Sequence, residues 1–113
     1  MRQLPTRSLP CAADATDNTT YELGAGIGPG VPVRDLVGKT VAAGPGFTGT
    51  ITIQGSIITD EWFSLGTVAA GAKLLIDQAG NVALEAIRTN VTTVTGGATP
   101  PAASLAAFDA RGD

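Results

Sequence analysis

From Phe47 to Ile57 the chain alternates without interruption. Phe47, Gly49, Ile51, Ile53, Gly55 and Ile57 fall on one side, and Thr48, Thr50, Thr52, Gln54 and Ser56 on the other. A period of two separates these sets onto opposite faces of a β-strand, whereas a helix would scatter both around its circumference. The strand is therefore half-buried, with Ile51 and Ile53 in a core and a Thr/Gln/Ser stripe facing outward. Gly49 and Gly55 permit a bend or close packing within it.

The segments around this strand carry the same texture. Runs of Val, Ile, Leu and Thr recur about every ten residues between glycine-containing turns, the spacing of a sandwich or barrel. Further strands are predicted at Leu36 to Ala43, Glu61 to Leu65, Lys73 to Ile76 and Ala103 to Phe108, with a short one at Thr19 to Leu23. Asp77 to Asn81 reads as a hairpin connection. Val82 to Ile87 could open as a helical turn, but Thr89-Asn-Val-Thr-Thr-Val-Thr95 is rich in β-branched residues, which favour a pleated surface. Gly24 to Gly30 has four glycines and a proline and reads as a loop. Residues 1–18 hold Pro5 and Pro10 and no sustained period, so they are expected to form an extended N-terminal arm outside the core. The predicted organisation is an all-β fold: an antiparallel β-sandwich or jelly-roll-like domain over residues 19–113, preceded by that arm.

Composition limits what such a domain does. The chain has 113 residues, enough for one domain, and only 4% are aromatic, so its core must be built from aliphatic side chains. A core that thin gains from oligomerisation. The absence of His removes imidazole bases and ligands, including the Ser-His-Asp triad and the H-E-x-x-H zinc site. Cys11 is the only cysteine, which excludes an internal disulfide and a cysteine zinc cage, and without a His partner it reads as an incidental thiol. Seven basic residues against ten acidic ones leave no basic face for nucleic acid. Arg2 and Arg7 are a local exception, with no acid until Asp14; they read first as solvated terminal charges, with docking on an acidic partner surface as the alternative. No run reaches the roughly 18 apolar residues of a membrane span, and the first ten residues lack the apolar stretch of a secretory signal. The expectation is a protein made and used inside a cell, or leaving it only by lysis, whose sequons at Asn18 and Asn90 carry no glycan.

Several motifs resolve into simpler readings. Gly38-Lys39-Thr40 lacks the earlier glycine of a phosphate loop, that position being Val33. The alternate glycines at 24, 26, 28 and 30 do not match a dinucleotide fingerprint. Asp60 and Glu61 are adjacent on a strand and point apart, so they cannot form a glycosidase pair by themselves; Asp60 reads as a turn residue before the strand that carries Trp62. Asp77 and Asn81 miss the calcium-loop order at Ala79. Arg111-Gly112-Asp113 matches an integrin tripeptide by chance. No base is matched to a nucleophile, so no enzyme, cofactor or metal is expected. Trp62 with Tyr21 could form a sugar-stacking platform, though a lone Trp beside Phe63 is more simply a packing anchor.

The order Phe47-Thr-Gly-Thr-Ile-Thr-Ile-Gln-Gly-Ser-Ile57, Glu61-Trp-Phe-Ser-Leu65 and Ala86-Ile-Arg-Thr-Asn-Val-Thr-Thr-Val-Thr-Gly96 resembles the small β-domains of tailed-bacteriophage virions. The nearest likeness is to capsid cement (head decoration) proteins and related accessory domains. The resemblance covers residues 47 to 109, about half the chain, and leaves the arm uncovered. It implies that Trp62 packs the core and that Arg88 braces a neighbouring strand or loop. It also implies a structural virion protein on the outer capsid surface, bound to major capsid protein subunits that it cements together, as a homo-oligomer, with a trimer by analogy. In that setting the arm residues Arg2, Leu4, Arg7 and Leu9 are the expected capsid contacts. The competing expectation is a tail or fibre module that binds host-surface carbohydrate through Trp62.

Overall fold

A computed structural model describes residues 2–13, 19–22, 24–58, 60–77, 84–97 and 99–109. These residues contain eleven strands and no helix. In chain order the strands are β1 (Arg2–Gln3), β2 (Arg7–Leu9), β3 (Thr19–Thr20), β4 (Val31–Pro32), β5 (Leu36–Ala43), β6 (Phe47–Ser56), β7 (Trp62–Ala69), β8 (Lys73–Leu75), β9 (Ala86–Asn90), β10 (Thr93–Gly97) and β11 (Ala103–Asp109).

All the pairings are antiparallel and fall into two sheets. In the first, β5 lies between β8 and β11, and both β1 and β2 run along the far edge of β11. In the second, β6 lies between β7 and the successive strands β9 and β10, while β3 and β4 run along the outer edge of that pair. Counting β1/β2, β3/β4 and β9/β10 as interrupted single passes gives eight passes. Their order is 1-8-3-6 in one sheet and 2-7-4-5 in the other. This is the order of a jelly roll, in which passes 1 and 8, 2 and 7, 3 and 6, and 4 and 5 pair as one long hairpin rolled over on itself.

The core lies between the sheets and is aliphatic. Val41, Ile51, Ile53, Ile87, Val94 and Leu105 are buried in it, and Phe47 is its only buried aromatic among the described residues. The alternation of β6 carries through in space for most of the strand: Ile51 and Ile53 are fully covered while Thr48 and Thr50 are exposed. It fails at the end, where Ser56, expected outside, is buried and Ile57, expected on the core face, lies past the strand in the turn and is exposed. The strand stops at Ser56, whose hydroxyl donates to the Ile58 carbonyl at 2.6 Å within the hairpin turn. Asp60 in that turn has φ 68°, a left-handed conformation that Asp tolerates better than most residues.

The N-terminal segment departs from the expected arm. It is extended, but it lies on the sandwich: Arg2 and Gln3 pair with Asp109 and Phe108, Arg7 to Leu9 pair with Leu105 to Ala103, and the Leu4 amide donates to the Ala107 carbonyl at 3.0 Å. Leu9 and Ala13 are part of the core. Pro5 interrupts the pairing, as an edge position allows because its missing N–H is not needed there. The predicted strand at Glu61 to Leu65 is longer than its sequence signal. It continues to Ala69 past a register shift opposite Ile53/Gln54. The hairpin expected at Asp77 to Asn81 and the Arg111-Gly112-Asp113 tripeptide lie outside the described residues, except for Asp77.

The Gly24 to Gly30 segment is irregular yet held against the second sheet. The Val91 amide donates to the Gly26 carbonyl at 2.9 Å, the Gly28 amide donates to the Thr89 carbonyl at 2.9 Å, and Ile27 bridges Asn90. A Cβ at Gly26 would overlap the Val91 carbonyl, and one at Gly28 would overlap the Pro10 carbonyl. Glycine is required at both positions by close backbone approach.

Candidate functional site

Three regions of the surface bring polar or apolar side chains together. The first is the outward face of the second sheet. Register sets Gln54 on β6 between Ser64 on β7 and Arg88 on β9, with Trp62, Ser56 and Ala86 in the adjacent row. The Arg88 Nε donates to Gln54 Oε1 at 2.8 Å, and the guanidinium carbon stands 4.1 Å from the Trp62 ring centroid. The far edge of the indole reaches Gly30, where an added Cβ would come within 3.0 Å of the ring. Trp62 is thus half-buried on the outside of the sheet and is absent from the core, contrary to the packing role the resemblance implies. A ring that large finds its cover in the Arg88 side chain and the glycine opposite, since the inner positions are filled by Ile and Val. Arg88 does brace a neighbouring strand, through Gln54. Tyr21 is set apart from this pair: its amide donates to the Thr92 carbonyl, in the break between β9 and β10 and away from the Ala86 end where Trp62 lies, and its ring packs on the core. The two aromatics do not form a platform.

The second region is the end of the sandwich formed by the β6–β7 turn. Ile57 is 57% exposed, Ile58 61% and Phe63 39%. Exposed Asp60 and Glu61 lie in the same turn. The chain entering β9 closes the side of this end: the Glu85 amide donates to the Ser56 carbonyl at 2.6 Å, the Val33 amide donates to the Glu85 carbonyl at 3.0 Å, and Arg34 Nη2 pairs with Glu85 Oε1 at 2.7 Å. The sequence signal for this patch is the Ile57-Ile58 doublet, which breaks the alternation just where the strand ends.

The third region is the first pass. Arg2 and Arg7 are exposed, Leu4 is half-buried, and Arg2 Nη2 lies 3.8 Å from Asp109 Oδ2. Leu9 is buried beside Ala103 and is not available as a surface contact. Beyond it the Pro10 carbonyl accepts a hydrogen bond from Thr89 Oγ1 at 2.8 Å, which fastens the crossing from one sheet to the other. Burial pushes the Cys11 thiol up from its ordinary value, and a hydrogen bond with the Thr89 side chain opposes that shift.

Two further carboxylates are engaged with basic side chains: Asp77 with Lys39 and Glu85 with Arg34. Among the described residues no pocket opens, no cluster of side chains has the make-up of a metal site, and no helix is long and apolar enough to cross a membrane. Comparison of the chain with known protein families, curated proteins and solved structures found no match.

Proposed function

We propose that this chain is a structural virion protein that binds the outer surface of a bacteriophage head and cements neighbouring major capsid protein subunits. The observation that carries the reading is the apolar end of the sandwich, where Ile57, Ile58 and Phe63 stand in solvent within one hairpin. Large side chains gathered at one exposed tip suit a surface that is covered in use, and burying them on a partner returns the free energy of removing apolar area from water. The first pass adds Arg2, Leu4 and Arg7 on an edge strand of the other sheet. A protein bound at many equivalent lattice positions stabilises the shell by mass action, because it favours the assembled state over the dissociated one. The chemistry of attachment is non-covalent, and a closed homo-oligomer would multiply the contacts.

The test is co-sedimentation with heads of the source phage that lack the protein. Saturable binding that is lost on replacing Ile57 and Ile58 by Ser, with the fold retained, is the expected result. Failure of the unmodified chain to bind heads would contradict the reading. The carbohydrate reading has less support, because the Trp62 face that would stack on a sugar carries the Arg88 guanidinium. Binding to a glycan array that is abolished by Trp62→Ala would restore it.

A further inference from the structure

Lys39 is the only charged residue among the buried ones described. Its side chain is 0% exposed, and its Nζ lies 2.8 Å from Asp77 Oδ1 and 2.8 Å from the Leu36 carbonyl, to which it donates. The other carboxylate oxygen, Asp77 Oδ2, accepts the Gly38 N–H. Among the described residues Oδ1 receives no hydrogen bond of normal geometry although Nζ is beside it, so the amine meets the carboxyl off the line that a hydrogen bond requires. The backbone fixes both residues. The Ile76 amide donates to the Lys39 carbonyl at 2.8 Å, and β5 pairs with β8 immediately alongside.

We infer that Lys39 and Asp77 condense to an intrachain isopeptide bond. A buried ammonium and carboxylate are each costly, and transfer of one proton from Nζ to Oδ1 leaves a neutral amine facing a carboxylic acid. The nitrogen lone pair attacks Cγ, forming the C–N bond, and the carbonyl π pair moves onto Oδ2, where the Gly38 N–H supports the developing oxyanion. A second proton passes from nitrogen to Oδ1, the carbonyl re-forms, and the Cγ–Oδ1 bond breaks with release of water. Amine and acid become amide and water, with no redox change and no co-reactant. The atom expelled is Oδ1, the oxygen that accepts no hydrogen bond among the described residues. The remaining contacts serve the product unchanged: the amide N–H faces the Leu36 carbonyl, and its oxygen faces the Gly38 N–H. Fixed proximity supplies much of the drive for such a reaction. The bond would tie β5 to the end of β8 and restrict the unfolded chain as a disulfide does, in a protein whose single cysteine cannot form one internally.

The test is the intact mass of the purified full chain, denatured after incubation at physiological temperature, together with peptide mapping. The expected mass is that of the sequence less one water, with a branched peptide joining Lys39 to Asp77 and no tryptic cleavage after Lys39. Lys39→Arg, which keeps the charge but not the nucleophile, is expected to show its full sequence mass. A full-length chain at full mass would overturn the inference. So would a loss of water without the branched peptide, which would indicate a succinimide at Asp77, or a dehydrated Lys39→Arg chain.

Discussion

The Arg88 guanidinium is stacked over the Trp62 indole at 4.1 Å while its Nε donates to Gln54, so one side chain joins three adjacent strands on the outer face of the second sheet. Arg88→Ala removes the stacking and the hydrogen bond together and should cost about 1–2 kcal/mol. Opening one face of the indole to water should also shift Trp62 emission to the red. Arg88→Lys retains the charge but not the planar stack or the Nε donor, and should recover only part of the stability. Denaturant unfolding with fluorescence detection measures both effects, and unchanged emission in Arg88→Ala would show that the stack is not formed in solution.

The register of β6 predicts a sharp contrast between two isoleucines in one hairpin. Ile53 is fully covered between Gly66 and Thr89 in register, so Ile53→Ala should cost about 2–5 kcal/mol. Ile57 lies beyond the last residue of the strand and is exposed, and Ile57→Ala should change stability by no more than about 0.5 kcal/mol. Equal losses at both positions would mean that the alternation is out of register with the core.

That contrast also shows what the sequence makes legible. The faces of β6 follow from alternation along most of the strand because the opposing sheet covers one set of its residues, so local pattern and tertiary packing agree there. The first pass is different: among the described residues its buried contribution is Leu9 and, just past it, Ala13, with Pro10 and Cys11 between them, which leaves no period to detect. Lys39 sits at a position where the alternation of β5 turns inward, but a lysine is read as exposed unless its partner is known. That partner, Asp77, lies in the bend just past β8 and far along the chain. Trp62 follows the same logic in reverse, since an aromatic reads as core until the cation that covers it outside the sheet is placed.

The first pass predicts unequal roles for its two halves. Removal of residues 1–6 takes away β1, the Leu4 hydrogen bond and an exposed edge, and should leave the sandwich folded with a small loss of stability. Leu9→Ala empties a core position and should cost about 2–5 kcal/mol. Under the proposed function the truncated chain should bind heads less tightly, whereas Leu9→Ala, once folded, should bind as the unmodified chain does. Thermal melts and co-sedimentation separate the two roles, and unaltered head binding after truncation would remove the first pass from the contact surface.

Cys11 gives a pH signature. Its thiol is held above the ordinary value by burial, so the folded chain keeps the proton at a pH where the unfolded chain has begun to lose it. The stability from burying the neutral thiol is therefore fully present below the unfolded value and declines as the pH rises above it toward the folded one. Alkylation at mildly alkaline pH should be slower in the native protein than in urea, with the gap narrowing as the pH climbs, and Cys11→Ser should flatten the alkaline arm of the stability profile. Equal native and denatured alkylation rates would show that the thiol is solvated.

Attachment to a head lattice would fix how many copies of this chain each particle carries. Quantitative mass spectrometry of purified virions from the source phage should give a simple fixed ratio of this chain to the major capsid protein. A trace amount, confinement to detached tails, or absence from the particle would contradict the account.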